Sequence, residues 1–267
     1  DSRTLMAGSW DGKVWWHRAQ DGETIRTFKT QQKRIPSSGF TNAISDLDYA
    51  KDGALVVAGT NDGQVYLWLI AEGASQEFEP GCEWGYWITA VSLSFDNQYL
   101  ALQQLECAIE IIHLKDRTMQ TLDHTPGWDE VPLAFSPVEL WLATSGKRGA
   151  EIYNIPDLAM IARLDNADVG FTPLVFSDDG QLLAARNEED TFEIWKISDS
   201  SLIYSGKASV DQFAFSPDNR LLAISEGWRI SLYDSSSKKE LGRLYSRGSA
   251  IDFSPDGKLL AVGGDDG

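Results

Sequence analysis

Short apolar runs alternate with tight polar turns along the whole chain, and the order of runs repeats. A unit opens with a brief run of alternating character, as in Ile44 to Tyr49, Val91 to Leu93, Leu133 to Phe135, Leu174 to Phe176, Phe213 to Phe215 and Ile251 to Phe253. These predict strands, because alternation at period two puts one face in a core. A turn follows, written Phe-Ser-Pro-Asp-Asn at 215–219, Phe-Ser-Pro-Asp-Gly at 253–257 and Phe-Ser-Asp-Asp-Gly at 176–180. Pro presets φ there, and Asp and Gly supply the turn hydrogen bond and the positive φ. The second run, such as Leu221-Leu222-Ala223-Ile224, is almost wholly apolar and predicts a strand buried on both faces. Asp-Gly turns at Trp10-Asp11-Gly12, Asn61-Asp62-Gly63 and Asp265-Asp266-Gly267 lead into a third strand. That strand alternates and ends in an aromatic, as in Val65 to Trp68, Phe192 to Trp195 and Ile230 to Tyr233. A more polar fourth strand closes the unit at Thr24 to Phe28, Ala159 to Leu164 and Glu240 to Leu244, which protects a sheet edge. No helix period or cap is evident.

The units recur at Asp1, Asp52, Asp96, Val138, Asp179, Asp218 and Asp256, with spacings falling from 51 to 38 residues. A period near 40 is the signature of an array of small sheets. Asp1 to Gly12 aligns without a gap onto Asp256 to Gly267, so the chain starts and stops at one phase of the unit. The pattern gives 25 strands: six first, seven second, six third and six fourth.

On these residues the chain resembles the WD40 family of β-propellers over nearly its whole length. The resemblance implies an all-β propeller of four-stranded antiparallel blades in a single domain, 1–267. The strand count makes seven blades the expectation, with the terminal blades incomplete and about 30 residues outside a segment cut from a longer or processed protein. The family's motif is degenerate here. Its third-strand Trp position holds His17, Trp68, Ile112, Tyr153, Trp195 and Tyr233, and the Asp that follows survives only as Asp234. The Gly-His pair is missing, and Trp10-Asp11 and Trp128-Asp129 sit in loops. The family's Asp–His–Ser–Trp network is therefore broken in every blade, and packing is expected to carry more of the stability.

Charge narrows the partners. The formal net charge is −17. That disfavours nucleic acid, which needs a Lys/Arg footprint, and anionic membrane surfaces. No apolar run approaches the roughly 20 residues of a membrane helix, and with an opening of Asp-Ser-Arg no signal peptide is expected. Two cysteines make no disulfide framework, and Cys107 reads as a small buried hydrophobe. With no Asn-x-Ser/Thr sequon, the expected setting is reducing and cytoplasmic.

Catalytic motifs are absent. Ser9 in Gly-Ser-Trp-Asp-Gly is not a nucleophile elbow. His17, His113 and His124 form no metal cluster. A calcium loop starting at Asp46, with Asp48 and Asp52, lacks the acidic residue at its twelfth position, where Val57 stands. No catalytic residue, metal site or cofactor is expected. The candidate chemistry is aromatic and lies in loops. Cys82 to Trp87 contains Trp84, Tyr86 and Trp87, and the next equivalent loop contains Trp128, Asp129 and Glu130. The resemblance implies that these loops share a face with the second-to-third-strand turns, which carry Trp10, Asp11, Asp62, Arg148, Glu188, Glu189, Asp190, Glu226 and Trp228. In the alternative, Trp84, Trp87 and Trp128 tuck between blades and seal the core. The inserted segment 29–43 is the one locally basic stretch.

The expected function is a non-catalytic interaction module, a scaffold or sensor. It would bind a protein or peptide of basic character on the acidic, aromatic face, alongside flanking domains of the same polypeptide. The rivals are a propeller hydrolase or lyase with its site at the central channel mouth, and a structural spacer for an effector domain elsewhere.

Overall fold

The computed structural model describes residues 3–31, 42–82, 87–122, 131–146, 149–165, 173–187, 190–246, 248 and 250–264. The chain divides into two compact units, 3–133 and 134–267 with 1–2. In the first unit β1 (Thr4–Gly8), β2 (Lys13–Arg18) and β3 (Thr24–Lys29) form a three-stranded sheet. Two four-stranded sheets follow: β4 (Ile44–Tyr49), β5 (Leu55–Thr60), β6 (Val65–Leu69) and β7 (Ala74–Phe78), then β8 (Ile88–Leu93), β9 (Tyr99–Gln104), β10 (Ile109–His113) and β11 (Met119–Leu122).

The second unit holds three more four-stranded sheets. They are β12 (Leu133–Phe135, starting at the boundary), β13 (Trp141–Gly146), β14 (Gly149–Asn154) and β15 (Ala159–Asp165); β16 (Leu174–Phe176), β17 (Leu182–Arg186), β18 (Thr191–Lys196) and β19 (Ser201–Lys207); and β20 (Gln212–Phe215), β21 (Leu221–Glu226), β22 (Arg229–Asp234) and β23 (Glu240–Tyr245). A two-stranded ladder of β24 (Ala250–Phe253) and β25 (Leu260–Gly263) follows. Every sheet is an antiparallel meander in chain order. The 25 strands among the described residues fall in the four classes that the apolar pattern predicts. The one helical element among those residues is the 3-10 turn Ile197–Asp199.

Aspartates pin the hairpins. Ser94, Ser177, Ser216 and Ser254 each donate Oγ–H to the Asp two residues on, and that Asp accepts the backbone N–H two residues further. Third-to-fourth-strand turns repeat the backbone half of the device at Asp21, Asp116, Asp157, Asp199 and Asp234. Such Asx turns let a short side chain replace a backbone partner.

The apolar core lies between consecutive sheets. Val14 and Phe28 of the first sheet meet Val56, Tyr66 and Trp68 of the second. Leu67 and Phe78 of the second meet Leu93, Leu100 and Ile112 of the third. In the other unit, Leu164 packs with Phe176 and Trp195, and Ile194 with Phe213 and Leu222.

Packing does not act alone in replacing the broken network. Buried glutamates stand at one position of three consecutive third strands, Glu110, Glu151 and Glu193. Glu193 accepts from Trp195 Nε1 at 3.0 Å, and Glu151 from Tyr153 Oη at 2.7 Å and Arg163 Nε at 3.1 Å. Where the aromatic is Ile112, Glu110 instead accepts the Gly81 N–H at 2.8 Å.

Cys82 and Cys107 are joined by a disulfide, which corrects the reading of Cys107 as an unbridged hydrophobe and weakens the inference of a reducing compartment. They are 25 residues apart and occupy a loop and a turn, so only the fold brings them together.

Candidate functional site

Three described candidates remain for the aromatic face: Trp10, Trp87 and Trp228. Trp84, Tyr86, Trp128, Asp129, Glu130, Glu188 and Glu189 lie outside the described residues, as does Arg148. Trp10 and Trp87, 77 positions apart, line one pocket of about 280 Å³ in the first unit. Trp228 belongs to the second unit, where it is 66% exposed at a Gly227 hairpin tip. Asp62 departs from expectation. It is buried and accepts the Thr60 Oγ1–H at 2.6 Å, so it is turn structure and not exposed acid.

The pocket is built where the loop ends of three sheets converge. Trp10, 81% exposed, comes from the β1–β2 turn. Ala43, Ile44 and Ser45 come from the start of β4, Asn61 from the β5–β6 turn, and Ile88 and Thr89 from the start of β8. Ser9 O accepts the Ile44 N–H at 3.1 Å, joining first sheet to second. The Asn61 N–H donates to Ala43 O at 3.0 Å, and the Leu105 N–H to Trp87 O at 2.9 Å.

Ser45 and Thr89 are the residues the ladders skip. Ile44 pairs with Thr60 and Asp46 with Gly59; Ile88 pairs with Gln104 and Ala90 with Gln103. Both are β-bulges, which re-aim side chains beside functional sites. The first strands β16, β20 and β24 pair without a shift. Two second-strand glycines set the isoleucine walls. A Cβ on Gly8 would stand 2.5 Å from Ile44 Cγ2, and one on Gly59 2.3 Å from Ile88 Cγ2.

The rim is fixed at two places. Thr30 donates to Gly12 O and accepts from Asn42 Nδ2, both at 2.9 Å, so the two flanks of 32–41 are tied to the turn that carries Trp10. Gly12 must be glycine, with φ +74° and Asn42 Nδ2 only 2.1 Å from where a Cβ would sit. On the other side, the Cys82–Cys107 bridge and the Trp87–Leu105 hydrogen bond tie both flanks of 83–86 to the β9–β10 turn.

Among the described residues no charged side chain lines the pocket. Below it, Asp46 and Asp48 of β4 reach across to β8. Asp46 accepts the Val91 N–H at 2.7 Å, and Asp48 the Leu93 N–H at 2.8 Å. Burial pushes the Asp46 carboxyl up to about 6 against the pull of its backbone donors, and raises Asp48 too. These are edge-strand clasps, in keeping with the strand alternation that argued against calcium. Among the described residues no three His, Cys, Asp or Glu group to hold a metal, and no helix is long and apolar enough to cross a membrane. Pocket residues Ser45, Asn61 and Thr89 were not singled out by sequence. For Ser45 and Thr89 the signal is one extra residue in each of two first strands, visible once pairing is known.

A chain of such meanders is a β-propeller. Its fold is similar to the β-propeller domain of Myceliophteria thermophila Cps50 (Swd1), with TM-score 0.84 at 15% identity over 99% of this chain and 90% of that one. The family model for the WD domain, G-beta repeat, matches residues 24–68 and 248–267, and with that likeness supports a WD40-repeat family for this chain. Among curated proteins, human Protein NEDD1 is 36% identical over 31% of this chain and 14% of its own length. SEC12-like protein 1 of Arabidopsis thaliana is 32% identical over 51% of this chain and 37% of its own. Small ribosomal subunit protein RACK1y of Oryza sativa subsp. japonica is 24% identical over 73% and 44%. The chain therefore spans less than half the length of each of these relatives.

Proposed function

We propose that this propeller is a non-catalytic interaction module that binds a protein or peptide segment over the Trp10–Trp87 pocket. The observation that carries the reading is Trp10. A residue of that size, 81% exposed at the lip of a pocket whose rim is fixed by a disulfide and a hydrogen-bonded loop base, is poor core and a good interface anchor. Basic residues of the partner, outside the pocket, would meet the acidic surface and gain association rate. The family supports an interaction role over chemistry.

Selection of a random displayed peptide library on the intact chain tests this. Enriched peptides should lose at least about tenfold in affinity on Trp10→Ala, a change in an exposed side chain that costs within about 0.5 kcal/mol of stability. No enrichment, or affinities unchanged by the substitution, sinks the reading.

We further propose that β24–β25 is the inner half of a seventh blade. Leu222, Ala223 and Ile224 of β21 are wholly buried, whereas the equivalent Val262 is 36% exposed. Leu244 is 48% exposed although its counterparts Phe28, Phe78, Leu122 and Leu164 are buried. Third and fourth strands beside β25 would cover both.

A further inference from the structure

We infer that the pocket selects an uncharged apolar or aromatic side chain of the partner, and not the Lys or Arg that an acidic chain suggests. The inference rests on the interaction-module reading and specifies the chemistry of its anchor.

The wall is two indoles and two isoleucines; the polar groups are the hydroxyls of Ser45 and Thr89 and the Asn61 amide. Among the described residues all are neutral. Burying an ammonium or guanidinium there without a carboxylate incurs a desolvation cost that the indole faces and the few neutral oxygens offset only in part. Of the carboxylates next to lining residues in sequence, Asp46 is held by Val91 and Leu47, Asp11 by Ser9 and Lys13, and Asp62 is buried in its own turn with one oxygen on Thr60. A volume of about 280 Å³ falls just under the usual range for a drug-sized ligand. It suits one side chain together with its own peptide groups. The two bulges fit that occupant. They place a hydroxyl at the same position of two consecutive first strands; the Ser45 hydroxyl can donate to or accept from a peptide unit, and the Thr89 hydroxyl, which donates to Gln103 O at 3.4 Å, can accept from one. Gly8 and Gly59 fix the isoleucines between them, so the apolar walls are held by backbone approach.

The test uses the intact chain labelled with 5-fluorotryptophan, with the Trp10 and Trp87 resonances assigned through W10F and W87F. The probes are N-acetyl-phenylalaninamide, N-acetyl-leucinamide and N-acetyl-lysinamide. The phenylalanine and leucine amides should shift both resonances saturably, and the lysine amide at least tenfold more weakly. S45D, at an exposed position, should reverse that order by adding a carboxylate to the lining. Equal or tighter binding of the lysine amide overturns the inference and leaves the interaction reading standing. So does S45D binding with an unchanged preference, because the pocket is then not where the probe sits. Absence of a saturable shift with all three amides overturns the inference too. The interaction reading itself falls if displayed peptides fail to enrich or ignore Trp10.

Discussion

Asp46 shows how one side chain sets a pH dependence. Its neighbours are Asp48, which raises its pKa, and the Val91 and Leu47 N–H groups, which lower it; burial outweighs both donors. A carboxyl whose folded pKa is raised stabilises the fold below its unfolded pKa and loses that contribution as pH rises through the folded value. Asp48 and Glu110, also raised, act in the same sense. The turn aspartates Asp116, Asp157, Asp199, Asp218 and Asp234 are lowered by their hydrogen bonds and act in the opposite sense, failing only in stronger acid. Thermal stability should therefore peak at about pH 4, and Asp46→Asn should flatten the decline that runs between the ordinary carboxyl value of 3.8 and the folded value of about 6. A thermal-denaturation series with the same slope in both proteins would refute the assignment. Tyr153 makes a second residue-scale case. Tyr153→Phe keeps the ring but strips the O–H that Glu151 accepts, so it should cost about 1–3 kcal/mol in urea titration. If packing alone sustained that blade, the loss would be well below this range.

At the scale of elements, Gly59 and the disulfide carry the sharpest expectations. Gly59→Ala drives a Cβ into Ile88 and should cost about 1–3 kcal/mol by overpacking, with Ile88 displaced from the pocket wall. Ala at Gly242, a strand glycine without a positive φ and with nothing within 4 Å of a Cβ, is the control and should cost well under that. Removing the Cys82–Cys107 bridge with Cys107→Ser should cost about 3 kcal/mol for a loop of this length. Thiol titration of the unfolded, unreduced protein should find no free cysteine; two would show that the bridge does not form. The strands, their classes and their turns were legible in sequence because period-two alternation and Asp-Gly turns are local. The bridge, the glutamate clasps and the bulges were not, because each depends on which residues the pairing sets side by side. Trp10 and Trp87 could be named from their type and loops, yet nothing in the sequence said that they share a pocket.

For the molecule as a whole, the partial cover of its last ladder is measurable. Amides of Leu260–Gly263 should exchange at least about tenfold faster than those of Leu221–Glu226, because local opening follows missing contacts. Equal protection would mean that β25 is already covered and would remove the argument for a seventh blade. The same whole-molecule view changes what the charge of −17 means. Asp11, Asp21, Asp52, Asp62, Asp96, Asp116, Asp157, Asp179, Asp199, Asp218, Asp234 and Asp256 each accept a hydrogen bond within their own turn. Those twelve account for a large share of the 40 acidic residues. Ten of those twelve stand in first-to-second or third-to-fourth-strand turns, which a meander puts at one end of its sheet; only Asp11 and Asp62 share the second-to-third-strand end that carries Trp10. Much of the acidity is thus a by-product of stitching hairpins, gathered at the end of each sheet that the pocket does not use. Such charge draws cationic molecules near without seating them in the pocket, and discrimination is left to the side chains that line it.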